Sequence, residues 1–94
     1  MNKNVCATKL IITGIVQGIG YRYFVQKVAE EENVFGYVKN NFDGSVEIVA
    51  ECYETKIFEK FLSRIMSEHP YAVVKNIEMI KQPVHNYSTF SIKY

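Results

Sequence analysis

A nine-residue stretch, "GIVQGIGYR" (Gly14 to Arg22), lies between an apolar run, "LIIT", and a segment of helical spacing, "YRYFVQKVAEEEN". It holds three of the chain's five glycines, so most of the glycine-given backbone freedom is concentrated at one strand-to-helix junction. A chain built around such a junction has to pack strands and helices together.

The flanking patterns extend this reading. In "CATKLIITG" one parity carries Cys6, Thr8, Leu10 and Ile12 and the other Ala7, Lys9, Ile11 and Thr13, which predicts a strand with one apolar face. From Tyr21 onward, Tyr21, Val25, Val28 and Ala29 recur at helical spacing while Gln26, Lys27 and Glu30 to Glu32 face away. Gly36 is expected to stop this helix. "GYVKNNF" and "SVEIVAEC" flank Asp43-Gly44, a pair that tolerates positive φ and predicts a tight antiparallel hairpin.

A second helix is predicted from about Thr55 to Ser67, with Ile57 or Phe58, Phe61, Leu62, Ile65 and Met66 as its stripe and Pro70 barring continuation. "AVVKNIEMI" reads as a fourth strand and "TFSIKY" as a short last one. The order β, α, β-hairpin, α, β predicts an α+β fold of the ferredoxin-like split βαβ kind (βαββαβ), an antiparallel sheet with two helices on one face. The 94 residues are expected to form a single domain, 1–94.

Composition narrows the function classes. With 48% hydrophobic and 14% aromatic residues and two prolines, the chain reads as an ordinary globular one. Eleven basic against ten acidic residues give a formal net charge of +1, so no broad field favours nucleic acid or an anionic membrane, and any anion has to be caught locally. The N-terminus lacks a signal-like apolar segment and no run approaches ~20 apolar residues; a soluble cytoplasmic protein is expected. Cys6 and Cys52 belong to no CxxC motif or Cys/His cluster, so no metal site is expected.

A glycine-rich turn ahead of a helix can aim several N–H groups into one concavity, to which the helix N-terminus adds a potential favourable to negative charge. "GIVQGIGYR" therefore reads either as a phosphate cradle or as a tight turn whose glycines only supply permissive φ/ψ. It is not a Walker A loop, which ends Gly-Lys-Ser/Thr where this one ends Gly-Tyr-Arg, nor a dinucleotide fingerprint, whose third glycine falls at Tyr23. Arg22, just behind the turn, is either a surface cation or a fork that closes over two phosphate oxygens. Asn40 is either a turn-proximal side chain satisfying backbone or an amide able to hold a water by donating and accepting together.

"GIVQGIGYR", "GYVKNNFDGSVEIVAE", the helix-Pro-"AVVKNIEM" segment and the closing "FSIKY", in this order, resemble the acylphosphatase family over nearly the whole chain. The resemblance implies the same split βαβ fold and metal-independent, cofactor-free hydrolysis of a small-molecule acyl phosphate to carboxylate and inorganic phosphate. It implies that Gly14, Ile15, Val16, Gln17, Gly18, Ile19 and Gly20 form the phosphate-binding loop. Arg22 matches the family's phosphate-binding catalytic arginine and Asn40 the asparagine that positions the attacking water. The expected protein is a cytoplasmic monomer without nucleic-acid or membrane partners.

Tyr37 stands where many members have Trp and Tyr21 where many have Phe, changes expected to keep the packing. Cys52 stands where the family commonly has a glycine after strand 3, which puts the local turn in question. An RNA-recognition module on the same fold needs exposed aromatics on central strands and a basic sheet face, and "SVEIVAEC" supplies neither.

In a split βαβ sheet the start of strand 1 lies opposite the end of strand 3. If the register sets Cys6 against Cys52, their Cα separation falls in or near the disulfide range of about 4.4–6.8 Å, so the pair reads either as two buried free thiols, the form a reducing cytosol favours, or as a cross-strand disulfide. His69 and His85 are expected at the surface, Asp43 to serve the turn, and Glu30, Glu31 and Glu32 to form a solvated helix face.

Overall fold

The computed structural model describes residues 5–94; residues 1–4 of the expected 1–94 domain lie outside the described residues. Its elements are β1 (Cys6–Ile15), α1 (Tyr21–Glu32), β2 (Phe35–Asn40), β3 (Val46–Cys52), α2 (Thr55–Ser67), β4 (Val73–Lys81) and β5 (Phe90–Lys93). They form one sheet in the order β4-β1-β3-β2-β5. The four strands of the split βαβ unit pair antiparallel, as expected, whereas β5 joins the edge parallel to β2, so the sheet is mixed.

Both helices cover the same face. Val25, Val28 and Ala29 of α1 and Phe61 and Ile65 of α2 share one buried cluster with Leu10 and Ile12 of β1, Val38 of β2 and Val46, Ile48 and Ala50 of β3. A salt-bridge cluster ties the helices together outside that core, with Arg64 reaching Glu31 at 2.9 Å, Glu32 at 3.0 Å and Glu68 at 2.8 Å. Glu31 and Glu32 are therefore bridged rather than simply solvated. Tyr37 keeps an aromatic role at the open face, where its hydroxyl donates to Glu47 Oε2 at 2.7 Å and its ring lies under Lys93 Nζ.

Local expectations at Gly36 and in the hairpin turn can be compared with the structure directly. Gly36 does not end α1; Asn33 does, in the left-handed conformation with φ 60°, its N–H returning to the Ala29 carbonyl, and Gly36 is a buried residue of β2. The hairpin turn is longer than two residues: Asn41 N donates to Ser45 O and Gly44 N to Asn41 O, a three-residue loop of the bulged type. Asp43 serves that turn, accepting from the amide and hydroxyl of Ser45, bonds that hold its carboxyl below the usual range.

Gly14 and Ile15 extend β1 rather than open the loop. They pair with Val74 and Val73 of β4 after a register shift that skips Lys75. At Gly14 a Cβ would sit 2.0 Å from the Val73 carbonyl oxygen, so glycine here permits the close approach of two strands.

The register sets Cys6 directly opposite Cys52, and the structure shows the free-thiol form of the pair. Cys6 Sγ lies 3.7 Å from Thr55 Oγ1, and Cys52 Sγ donates to the Glu54 carbonyl, a bond that helps hold the turn into α2. Burial, reinforced by Cys6, pushes the Cys52 thiol up to about 11. A thiol held protonated by the fold contributes stability that is complete below its ordinary value near 9 and is lost as pH rises toward 11. In neutral buffer, mass-mapped alkylation of reduced native protein is expected at the half-buried Cys6 and not at Cys52. Cys52 becomes reactive on unfolding or as pH approaches 11; equal labelling of both thiols at neutral pH contradicts this.

Candidate active site

Elements far apart in sequence converge at one end of the sheet. Val16 to Gly20 leave β1 and turn into α1. Gly18 and Gly20 both have φ 76°, and Gly20 is the left-handed N-cap of the helix with no side-chain capping bond. A Cβ at Gly20 would meet nothing within 4 Å, so glycine is required there for its backbone conformation and not for space.

The consequence is a set of unused donors. The first helical bond runs from Phe24 N to Gly20 O, which leaves the N–H groups of Tyr21, Arg22 and Tyr23 without intrahelical acceptors. Among the described residues the amides of Gln17 to Gly20 also have no protein acceptor. The first turn carries no acidic side chain, so the positive end of the helix is left uncompensated.

These donors border a cavity of ≈ 150 Å³ lined by Val16, Gly18, Gly20, Tyr21, Arg22, Tyr23, Asn40, Ile92 and Tyr94. Arg22 is partly exposed and has no carboxylate partner among the described residues. Its guanidinium carbon lies 4.9 Å from the centroid of the Tyr94 ring, a stacking contact that orients the fork without neutralising it. Asn40 is the last residue of β2, and its Oδ1 is buried without a hydrogen-bond partner. An acceptor left in that state costs about 1–3 kcal/mol and calls for an explanation beyond packing.

The sequence-predicted residues therefore divide. Val16, Gly18, Gly20, Arg22 and Asn40 share the cavity. Gly14 and Ile15 belong to β1, Ile19 packs against the core, and the Gln17 side chain turns toward the hairpin. Tyr21 lines the cavity, but its hydroxyl donates to the Ile65 carbonyl at 2.8 Å, and burial raises its pKa far above the ordinary phenol value. Among the described residues no cluster of three His, Cys, Asp or Glu side chains could hold a metal ion.

Tyr23, Ile92 and Tyr94 were not legible as site residues. Ile92 and Tyr94 share a parity in the closing strand, but only the parallel pairing of β5 beside β2 brings them to Asn40. His69 is partly exposed and lies outside the cavity lining. Its Nδ1 accepts from the amides of Tyr71 and Ala72, and its ring packs edge-on against Tyr21 and Phe24. His85 is exposed.

Comparison with known proteins places this architecture. The acylphosphatase family model matches residues 8–92. An acylphosphatase of Archaeoglobus fulgidus is 42% identical over 88 residues, covering 94% of this chain and 98% of the relative. The crystal structure of acylphosphatase from Bacillus subtilis superposes with a TM-score of 0.88 at 34% identity, covering 96% of this chain and 99% of that one. Full-length HypF in its phosphate- and nucleotide-bound form matches with a TM-score of 0.87 at 32% identity, covering all of this chain but 12% of HypF. Since the family model takes in the glycine turn, Arg22, Asn40 and β5 as far as Ile92, and the fold matches to the same extent, the chain belongs to the acylphosphatase family.

Proposed function

We propose that the chain hydrolyses the carboxyl–phosphate bond of small-molecule acyl phosphates, releasing a carboxylate and inorganic phosphate without a metal. Family membership and fold support acyl phosphate hydrolysis. The observation that carries the residue-level reading is the convergence on one cavity of Asn40, the glycine turn and an Arg22 that, among the described residues, has no carboxylate partner.

The phosphoryl oxygens sit in the amides of Val16 to Gly20 and the first turn of α1, and the Arg22 fork takes two of them. Asn40, whose side chain lines the cavity, holds a water through its amide and so aims the water's oxygen at phosphorus, opposite the departing carboxylate. The water oxygen bonds to phosphorus while the phosphorus–oxygen bond to the acyl group breaks, its electron pair leaving on the carboxylate. The water's proton passes to the substrate itself. Because a carboxylate is a good leaving group, positioning and charge stabilisation suffice without a general base from the protein.

A cavity of ≈ 150 Å³, against ~30 Å³ for a water in the liquid, has room for a phosphoryl group and its attacking water, with the acyl portion directed outward past Tyr23 and Tyr94. Every group invoked comes from one chain, and the net charge of +1 favours no polyanionic partner, so we propose a monomer that works in the cytoplasm without nucleic acid or membrane. The test is hydrolysis of an aryl acyl phosphate by folded protein, with and without a chelator. Turnover that survives chelation is expected; no turnover sinks the proposal, and chelator-sensitive turnover sinks its metal independence.

A further inference from the structure

Gln17 lies in the turn expected to bind phosphate, yet its side chain does something else. Its Nε2 donates to the Asn41 carbonyl at 2.9 Å and to the Ser45 carbonyl at 2.8 Å. A primary amide nitrogen carries two hydrogens, and both are spent on these acceptors. The side chain therefore has no donor left for a phosphoryl oxygen, while its backbone N–H remains part of the cradle.

The two acceptors have a particular place. Asn41 and Ser45 close the β2–β3 turn, with Asn41 N bonded to Ser45 O, and Asn41 follows Asn40 directly. In the sheet, β1 and β2 are not neighbours, because β3 runs between them. The phosphate turn at the end of β1 and Asn40 at the end of β2 thus belong to strands without a shared ladder. Among the described residues, Gln17 makes the hydrogen bonds that join residues 16–20 directly to the hairpin turn.

We infer that Gln17 is a positioning residue for hydrolysis, setting the distance between the phosphate turn and Asn40 through its two bonds across the end of β3. The inference rests on the proposed role of Asn40. Misplacement of a reacting group by about 1 Å can cost 10²-fold in rate, so the tether acts on turnover rather than on phosphate affinity, which the amides and Arg22 supply.

The test compares wild type, Gln17→Ala, Gln17→Glu, Asn40→Ala and the Gln17→Ala/Asn40→Ala double variant in kcat, inhibition by inorganic phosphate and melting temperature. Gln17→Glu keeps the shape but sets a carboxylate against two carbonyls. Both Gln17 variants are expected to lose about 10- to 100-fold in kcat, with the phosphate inhibition constant within about 3-fold of wild type. In the Asn40→Ala background, Gln17→Ala is expected to lower kcat little further, because coupled residues are not additive. A phosphate constant that rises in step with the loss of kcat makes Gln17 a phosphate ligand and overturns the inference. So does a lowered melting temperature with unchanged kcat, or full additivity with Asn40→Ala. If Asn40→Ala itself keeps full turnover, or the folded wild type has none, the catalytic reading falls and the inference with it. A variant too unstable to assay at 25 °C is measured at lower temperature beside wild type, against the same outcomes.

Discussion

Replacing Arg22 by alanine is expected to lower kcat/KM for an aryl acyl phosphate by about 10³-fold or more, the range found when a guanidinium facing transferring phosphoryl oxygens is removed. Inhibition by inorganic phosphate should weaken with it, because the same fork would hold the product. Stability should move little, since Arg22 is partly exposed and its protein contact is the stacking on Tyr94. Arg22→Lys keeps the charge but not the planar fork, and is expected to recover only part of the loss. Steady-state kinetics with phosphate as inhibitor separates these effects; an Arg22→Ala variant with wild-type kcat/KM contradicts the site.

Asn40→Ala is expected to behave differently. It should lower kcat by about 10²- to 10³-fold while leaving phosphate inhibition near the wild-type value, because the phosphate-binding groups are untouched. Among the described residues its Oδ1 has no hydrogen-bond partner, so the substitution breaks no bond within the fold and stability is expected to change little. Thermal melting beside wild type checks this. A variant that loses both activity and stability would mean that Asn40 is a structural side chain.

The contrast between these residues shows what the sequence carried. Arg22 follows its turn directly, and local order alone sets it beside the loop amides. Asn40 comes eighteen positions later, and residue spacing on its own favoured a turn role for it; family resemblance identified it, and the pairing of β2 with β3 explains why it reaches the cavity. The hydrophobic periods placed β1 and both helices because burial on one face dictates the pattern.

Where two signals competed, the sequence misled. Gly36 resembles a helix stop, yet Asn33 takes the left-handed position three residues earlier. Gly14 resembles the start of a loop, yet it lets β1 and β4 approach closely. At Gln17 the sequence did not separate backbone from side chain: the residue lies in the turn, while its side-chain amide binds carbonyls that only the folded sheet brings near. Tyr94 enters the site through the parallel pairing of β5 with β2, and no local pattern encodes which strand a terminal strand will join.

The central claim is that water, held by Asn40, attacks the phosphorus of an acyl phosphate bound by the turn amides and Arg22. Hydrolysis of an aryl acyl phosphate in water enriched in oxygen-18 tests it most directly, with mass spectrometry of both products. The account predicts label in the inorganic phosphate and none in the carboxylate. Label in the carboxylate would place the attack at the acyl carbon and contradict the account.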